Sequence, residues 1–185
     1  YKSYLGLKNC QAIVLDGDIT SDQAFNPDIY GKGSWTLHTL RWLIGDELFW
    51  QATRELLYGV NDTKQLAYPI SPRYRNTDEF IAIVNRLTAK DYSWLFDVYL
   101  KQAQLPELDV IQSANSLTLK WNKNSLQDKP FPMPVPVQIN GSLQTYYVEN
   151  GEISIALKAG DHVVIDPNMK VFRYLPIIDK CKTDQ

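Results

Sequence analysis

Histidine is nearly missing from this 185-residue chain: there are two, His38 and His162, far apart and neither beside a glutamate in an H-E-x-x-H pattern. The H-E-x-x-H arrangement, in which histidines at i and i+4 reach one zinc ion from the same helix face, therefore cannot be assembled from these residues alone. Cysteine is equally scarce, with Cys10 and Cys181 near opposite ends and no C-x-x-C spacing. That leaves two free thiols or one long-range bridge. Free thiols are favoured, because a disulfide framework normally shows more cysteines. Neither charge sign dominates: the net charge is -2 and the pI about 5.7, which gives no footprint for nucleic acid or an anionic membrane. No apolar run approaches the ~20 residues that span a bilayer, and no signal peptide opens the chain. Because the first residue is Tyr1 rather than methionine, the start reads as a cut or processed end. The compartment therefore stays open, with a periplasmic or exported address favoured over a cytoplasmic one.

What is present is a chain 44% hydrophobic and rich in aromatics, with 5 Trp and 11 Tyr, long enough for one large domain or two small ones. Its organising stretch runs from Asp28 to Arg41. Tyr30 is followed by Gly31-Lys32-Gly33-Ser34, and then Leu37, Leu40 and Ile44 recur at the spacing of one buried helical face. This predicts a helix from Lys32 to Ile44, stopped by Gly45, with Tyr30 in the loop that feeds it and its phenol aimed outside the core. Lys32 and Arg41, taken by themselves, read as solvated or helix-end charges, and His38 as a packing histidine.

Upstream, Tyr1 to Leu7 reads as the tail of a helix and Cys10 to Pro27 as a loop, with Ile13-Val14-Leu15 as a buried anchor and Asp16-Gly17-Asp18 as a turn. Downstream, Asp46 is placed to cap a second helix carrying Leu48, Phe49, Ala52 and Leu56 until Gly59. So short a connection predicts an antiparallel helical pair. Pro69 and Pro72 interrupt a long loop in which Arg73 and Arg75 read as solvated. A third helix starts with Thr77 as cap and buries Phe80, Ile81, Val84 and Leu87. A fourth begins near Asp91 and buries Trp94, Leu95, Val98 and Tyr99.

Past Pro106 the period changes from helical to alternating. Stretches at 108–110, 116–121, 135–139, 143–148, 153–157, 162–165 and 171–175 make seven short strands, which argues for a small antiparallel sandwich. Asn140-Gly141 has the composition of a type I′ turn and Asn150-Gly151 repeats it, predicting a three-strand meander. Prolines at 130, 132, 134 and 136 suit an edge strand. The fold class is thus α+β in two parts: helices over 1–105, an immunoglobulin-like β-sandwich over 106–176, and a charged tail over 177–185.

Tyr30, Lys32, Gly33 and Ser34 with Leu37, Leu40 and Arg41 form a pattern similar to the Y-x-K-G-[AS] segment and following L-x-x-L-R helix of the zinc aminopeptidase family that contains aminopeptidase N. The Thr77 to Phe80 run and the Lys90 to Asp97 run resemble a segment that closes the helical part in bacterial members, with Ala89 and Tyr99 standing where that family often has Gly and Trp. Asp166-Pro167-Asn168 before Val171 resembles the turn near the end of its β-sandwich. The resemblance implies the end of a thermolysin-like catalytic domain followed by a β-domain, in a C-terminal fragment of a zinc-dependent aminopeptidase that hydrolyses N-terminal peptide bonds. It gives Tyr30 the catalytic role of binding the oxyanion formed when zinc-bound water attacks the peptide carbonyl. Zinc and the peptide substrate then belong to the intact parent, the N-terminal catalytic half is missing, and the fragment is inactive and metal-free alone. An apolar patch that has lost its neighbours would favour self-association. The competing reading is a non-catalytic scaffold of the same family.

Overall fold

The computed structural model describes residues 7, 10–15, 17–26, 28–66, 68, 73–122, 131–148 and 150–176. Helices come first and strands second, the α+β arrangement the sequence implies. Among the described residues they are, in order, α1 (Ser21–Ala24), α2 (Asp28–Ile44), α3 (Asp46–Tyr58), a 3₁₀ turn (Thr63–Gln65), α4 (Thr77–Thr88) and α5 (Ser93–Tyr99), then six strands. The chain divides into two compact units, Tyr1–Thr36 with Asp97–Gln185, and Leu37–Phe96. No helix among the described residues is long and apolar enough to cross a membrane.

In the Leu37–Phe96 unit, α3 and α4 pack along each other. Phe49 and Ala52 of α3 and Phe80 and Val84 of α4 are buried, the positions their helical periodicity selects. An Arg86–Glu55 ion pair joins the two helices, and Phe80 meets Phe96 edge-on with ring centres 5.7 Å apart. The cap of α4 is Asn76, one residue before the expected Thr77: its side chain accepts the Glu79 N–H at 2.9 Å, while Glu79 accepts the Asn76 N–H at 3.2 Å. At the far end Ala89 takes the left-handed cap conformation with φ 52. Glycine would fit that position without a Cβ penalty.

The corner between α2 and α3 departs from expectation. Its N-cap is Gly45, with no side-chain cap bond. Asp46 lies inside α3 and instead accepts two hydrogen bonds from the Arg41 guanidinium, at 2.8 and 2.7 Å, while Arg41 also lies 5.1 Å over the Trp50 ring. One connecting residue is too few for an antiparallel helical hairpin, and the packing neighbour of α3 is α4. Nor are the loop arginines merely solvated. Arg73 donates to the Tyr58 carbonyl at 2.6 Å and Arg75 to the Leu56 carbonyl at 3.0 Å, placing two cations on the negative end of α3. Gly59, at φ 77, makes room for this, since a Cβ there would lie 1.6 Å from the Arg73 guanidinium.

In the other unit, β1 (Leu108–Gln112), β2 (Ser116–Trp121) and β5 (Glu152–Ala156) form one antiparallel sheet in the order β1-β2-β5. The second sheet, in the order β4-β3-β6, is made of β4 (Ser142–Tyr146), β3 (Val135–Ile139) and β6 (Val163–Ile165). Leu117, Leu119 and Trp121 alternate into the core along β2, whereas Val135, Pro136 and Val137 of β3 are all buried. Trp121 links β2 to the approach to β3: its indole N–H donates to the Met133 carbonyl at 2.8 Å, and its ring meets Phe131 edge-on at 5.1 Å.

Asn140 and Gly141, with φ 50 and 85, make the expected type I′ turn and set Ile139 opposite Ser142. The second Asn-Gly does not continue a meander. After it, β5 crosses to the other sheet and pairs with β2, as Leu119 opposite Ile153 shows. An Asn-Gly pair fixes where the chain turns but not which strand it meets next. Likewise β3 is central rather than an edge strand. Pro136 is tolerated there because it lies one residue beyond its ladder with β6; its carbonyl accepts the Asp166 N–H at 2.7 Å, and the Asp166 carbonyl accepts from Met169 at 3.0 Å instead.

Residues 171–175 are buried at Val171 and Phe172 but form no strand. Their backbone groups are used elsewhere. The Val171 N–H goes to the buried Asp166 carboxylate at 3.0 Å, the Phe172 carbonyl accepts the Tyr99 hydroxyl, and the Tyr174 N–H reaches the Pro106 carbonyl at 2.9 Å. Cys10 is disulfide-bonded, which overturns the free-thiol reading, since a low cysteine count does not by itself exclude a bridge. Cys181 lies outside the described residues, as do the tail from residue 177, Asp16 and residues 1–6 of the helix tail expected over Tyr1 to Leu7.

Candidate functional site around Tyr30

Helix α2 begins earlier than its apolar spacing suggests. Asp28 is its first residue, and the Asn26 side chain accepts the Asp28 N–H at 2.9 Å. Tyr30 therefore stands on the first helical turn and not in a preceding loop. Helical dihedrals hold its Cα, and the residue is 70% exposed, its ring touching Phe25 edge-on with centres 6.2 Å apart. One turn further on, at i+3, a Cβ on Gly33 would meet nothing within 4 Å, so the helix surface beside the phenol is bare. An outward-facing donor with open surface next to it can reach a group supplied from outside this unit.

The opposite face of α2 is buried, and it is polar. Asp28, Lys32, Thr36 and Thr39 are all at most 4% exposed, along with Leu40, whereas Leu37 of the expected apolar face is 41% exposed. Lys32 is thus not a solvated charge. Its amine donates to three backbone carbonyls: Ala103 at 2.8 Å, Gln102 at 2.9 Å and Gln11 at 3.4 Å. Apolar periodicity could not find this group. The readable trace of it was polar residues at 28, 32 and 36, one helical turn apart.

Burial pushes the Lys32 amine from 10.5 down to about 8, with the Asp28 carboxylate acting in the opposite direction. The folded chain gives up this proton before the unfolded chain does. Between pH 8 and 10.5 the unfolded state therefore holds more proton, and this group makes stability rise with pH; below 8 the penalty of burying the charge is fully present. Denaturant unfolding of the wild type and Lys32→Met should diverge across this window in favour of the wild type, by at most roughly 3 kcal/mol. A difference that stays flat with pH would mean that the amine titrates as it does in solvent.

Arg41 spends its guanidinium on Asp46 and Trp50, a structural role. His38 lies in the middle of α2, half-buried. His162 follows Asp161, and its backbone N–H is held by the Asn140 side chain at 2.9 Å. Among the described residues no group of three or more His, Cys, Asp or Glu could hold a metal ion. Of the candidate residues, Tyr30 is brought together with Phe25.

No family model and no curated protein matches this chain. Among solved structures, aminopeptidase A of Legionella pneumophila, in complex with aspartic acid, is similar with a TM-score of 0.63 and 14% identity, over 89% of this chain and 20% of its own. The chain thus has an aminopeptidase-like fold and spans about a fifth of the length of that protein.

Proposed function

We propose that this chain is the C-terminal part of a zinc-dependent aminopeptidase, with a helical part over 1–105 and a β-domain over 106–176, and that Tyr30 donates a hydrogen bond to the oxyanion formed at the scissile carbonyl. The observation that carries this reading is a phenol 70% exposed on the first turn of a helix, within an aminopeptidase-like fold. A phenol suits the task because it is neutral at pH 7 and a hydrogen-bond donor. As the peptide carbonyl is attacked, negative charge builds on its oxygen, and a fixed donor there is worth more in the transition state than in the ground state. The residues described do not fit zinc, so in this reading the metal and its ligands belong to polypeptide beyond this chain, which alone is inactive. The disulfide at Cys10 supports an exported or periplasmic address.

The test is made on the parent. Purified parent protein should contain about one zinc per chain and release N-terminal residues from aminoacyl substrates. An α-aspartyl substrate is the first to try, given the aspartic acid bound by the Legionella enzyme. A parent with no H-E-x-x-H upstream and no hydrolysis of any aminoacyl substrate would sink the enzyme reading in favour of the scaffold.

A further inference from the structure

We infer that Lys32 is a positioning residue for Tyr30: its amine locks α2 against two neighbouring segments and so fixes the rotation of the helix that turns the phenol outward. The catalytic half of this inference rests on the role proposed for Tyr30. Its geometry stands on three observations.

The first is a match of donors to acceptors. An ammonium has three N–H groups, and three carbonyls receive them, Gln11 from the segment before α1 and Gln102 and Ala103 from the segment after α5. Second, successive helical residues are rotated by about 100°, so positions two apart lie on nearly opposite faces. Lys32 at 0% exposure and Tyr30 at 70% are therefore two consequences of one rotation. Third, Thr36 on the same buried face gives its hydroxyl to the Lys32 carbonyl at 2.7 Å, within its own helix, and so does not tie α2 to anything else by that bond. The segments that Lys32 grips also grip each other, since the Ile13 and Val14 N–H groups both donate to the Leu100 carbonyl at 2.8 Å. The amine thus joins three stretches of chain two residues from the phenol.

The experiment is a double-mutant cycle on the parent enzyme, with kcat and KM measured for the wild type, Lys32→Met, Tyr30→Phe and the double variant. Lys32→Met should lower kcat by about 10–100-fold with KM little changed, because a displaced donor is lost chiefly to the transition state. In the Tyr30→Phe background the same substitution should add less than about twofold, since its effect passes through the hydroxyl already removed. An equal loss in both backgrounds, or a loss carried by KM, overturns the inference. Should Lys32→Met not fold, Lys32→Gln retains two N–H donors and enters the same cycle. Amide exchange on this chain reads the anchoring without any assay of activity. Lys32→Met should speed exchange at residues 32–36 roughly tenfold relative to α4, and unchanged exchange overturns the anchoring. Normal turnover by Tyr30→Phe would remove the peptidase role while leaving that exchange result to decide the geometry.

Discussion

Replacing Tyr30 by phenylalanine in the parent protein is expected, under the role proposed for it, to lower kcat by about 10²–10³-fold, the usual cost of deleting one oxyanion donor, and to leave bound zinc at the wild-type level. The substitution is close to a pure deletion of the hydroxyl. Phenylalanine keeps the ring that meets Phe25 at 6.2 Å, and a side chain already 70% exposed contributes little to packing, so the fold is expected to be unchanged. A donor used only as charge develops is worth nothing to substrate binding, so kcat and kcat/KM should fall together. Wild-type turnover would take Tyr30 out of the mechanism. A rise in KM at constant kcat would make it a substrate contact instead.

The second large effect concerns stability. Phe172 is fully buried, stacked on Tyr99 with ring centres 5.4 Å apart and on Trp35 at 6.2 Å. Trp35 lies on α2, Tyr99 on α5, and Phe172 beyond the last strand, so three distant parts of the sequence meet in one aromatic stack within one unit. Phe172→Ala removes the middle ring and leaves a cavity, which should cost about 3–5 kcal/mol and lower the melting temperature by about 10 °C. Thermal unfolding followed by near-ultraviolet circular dichroism measures both the loss and the change in aromatic packing. A cost under about 1 kcal/mol would mean that the neighbours close over the gap, contrary to the close packing of protein interiors.

What could be read beforehand follows from what periodicity measures. Helices α3 and α4 and strand β2 bury apolar side chains at the spacing of their own geometry, so they stand out in the sequence. Helix α2 hides its inward face, because Asp28, Lys32 and Thr36 are polar, and the Lys32 amine is satisfied by carbonyls far away in sequence. The same limit explains residues 171–175. Their apolar pattern is that of a strand, but Asp166, Tyr99 and Pro106 take up their backbone groups, and hydrophobicity does not report hydrogen-bond partners. Tyr30 was found by resemblance to a motif. Its outward orientation depends on Lys32, which apolar spacing does not mark as buried.

The crossing of β5 between sheets also sets a timetable for synthesis. Ser116 must find Ala156, and Lys120 must find Glu152, so the central strand β2 leaves the ribosome well before its second partner exists. At about 5–20 residues per second, the β1–β2 ribbon waits some seconds with Leu117 and Leu119 uncovered along an open edge. Truncation anywhere before residue 152 leaves that edge permanently unpaired and prone to aggregate.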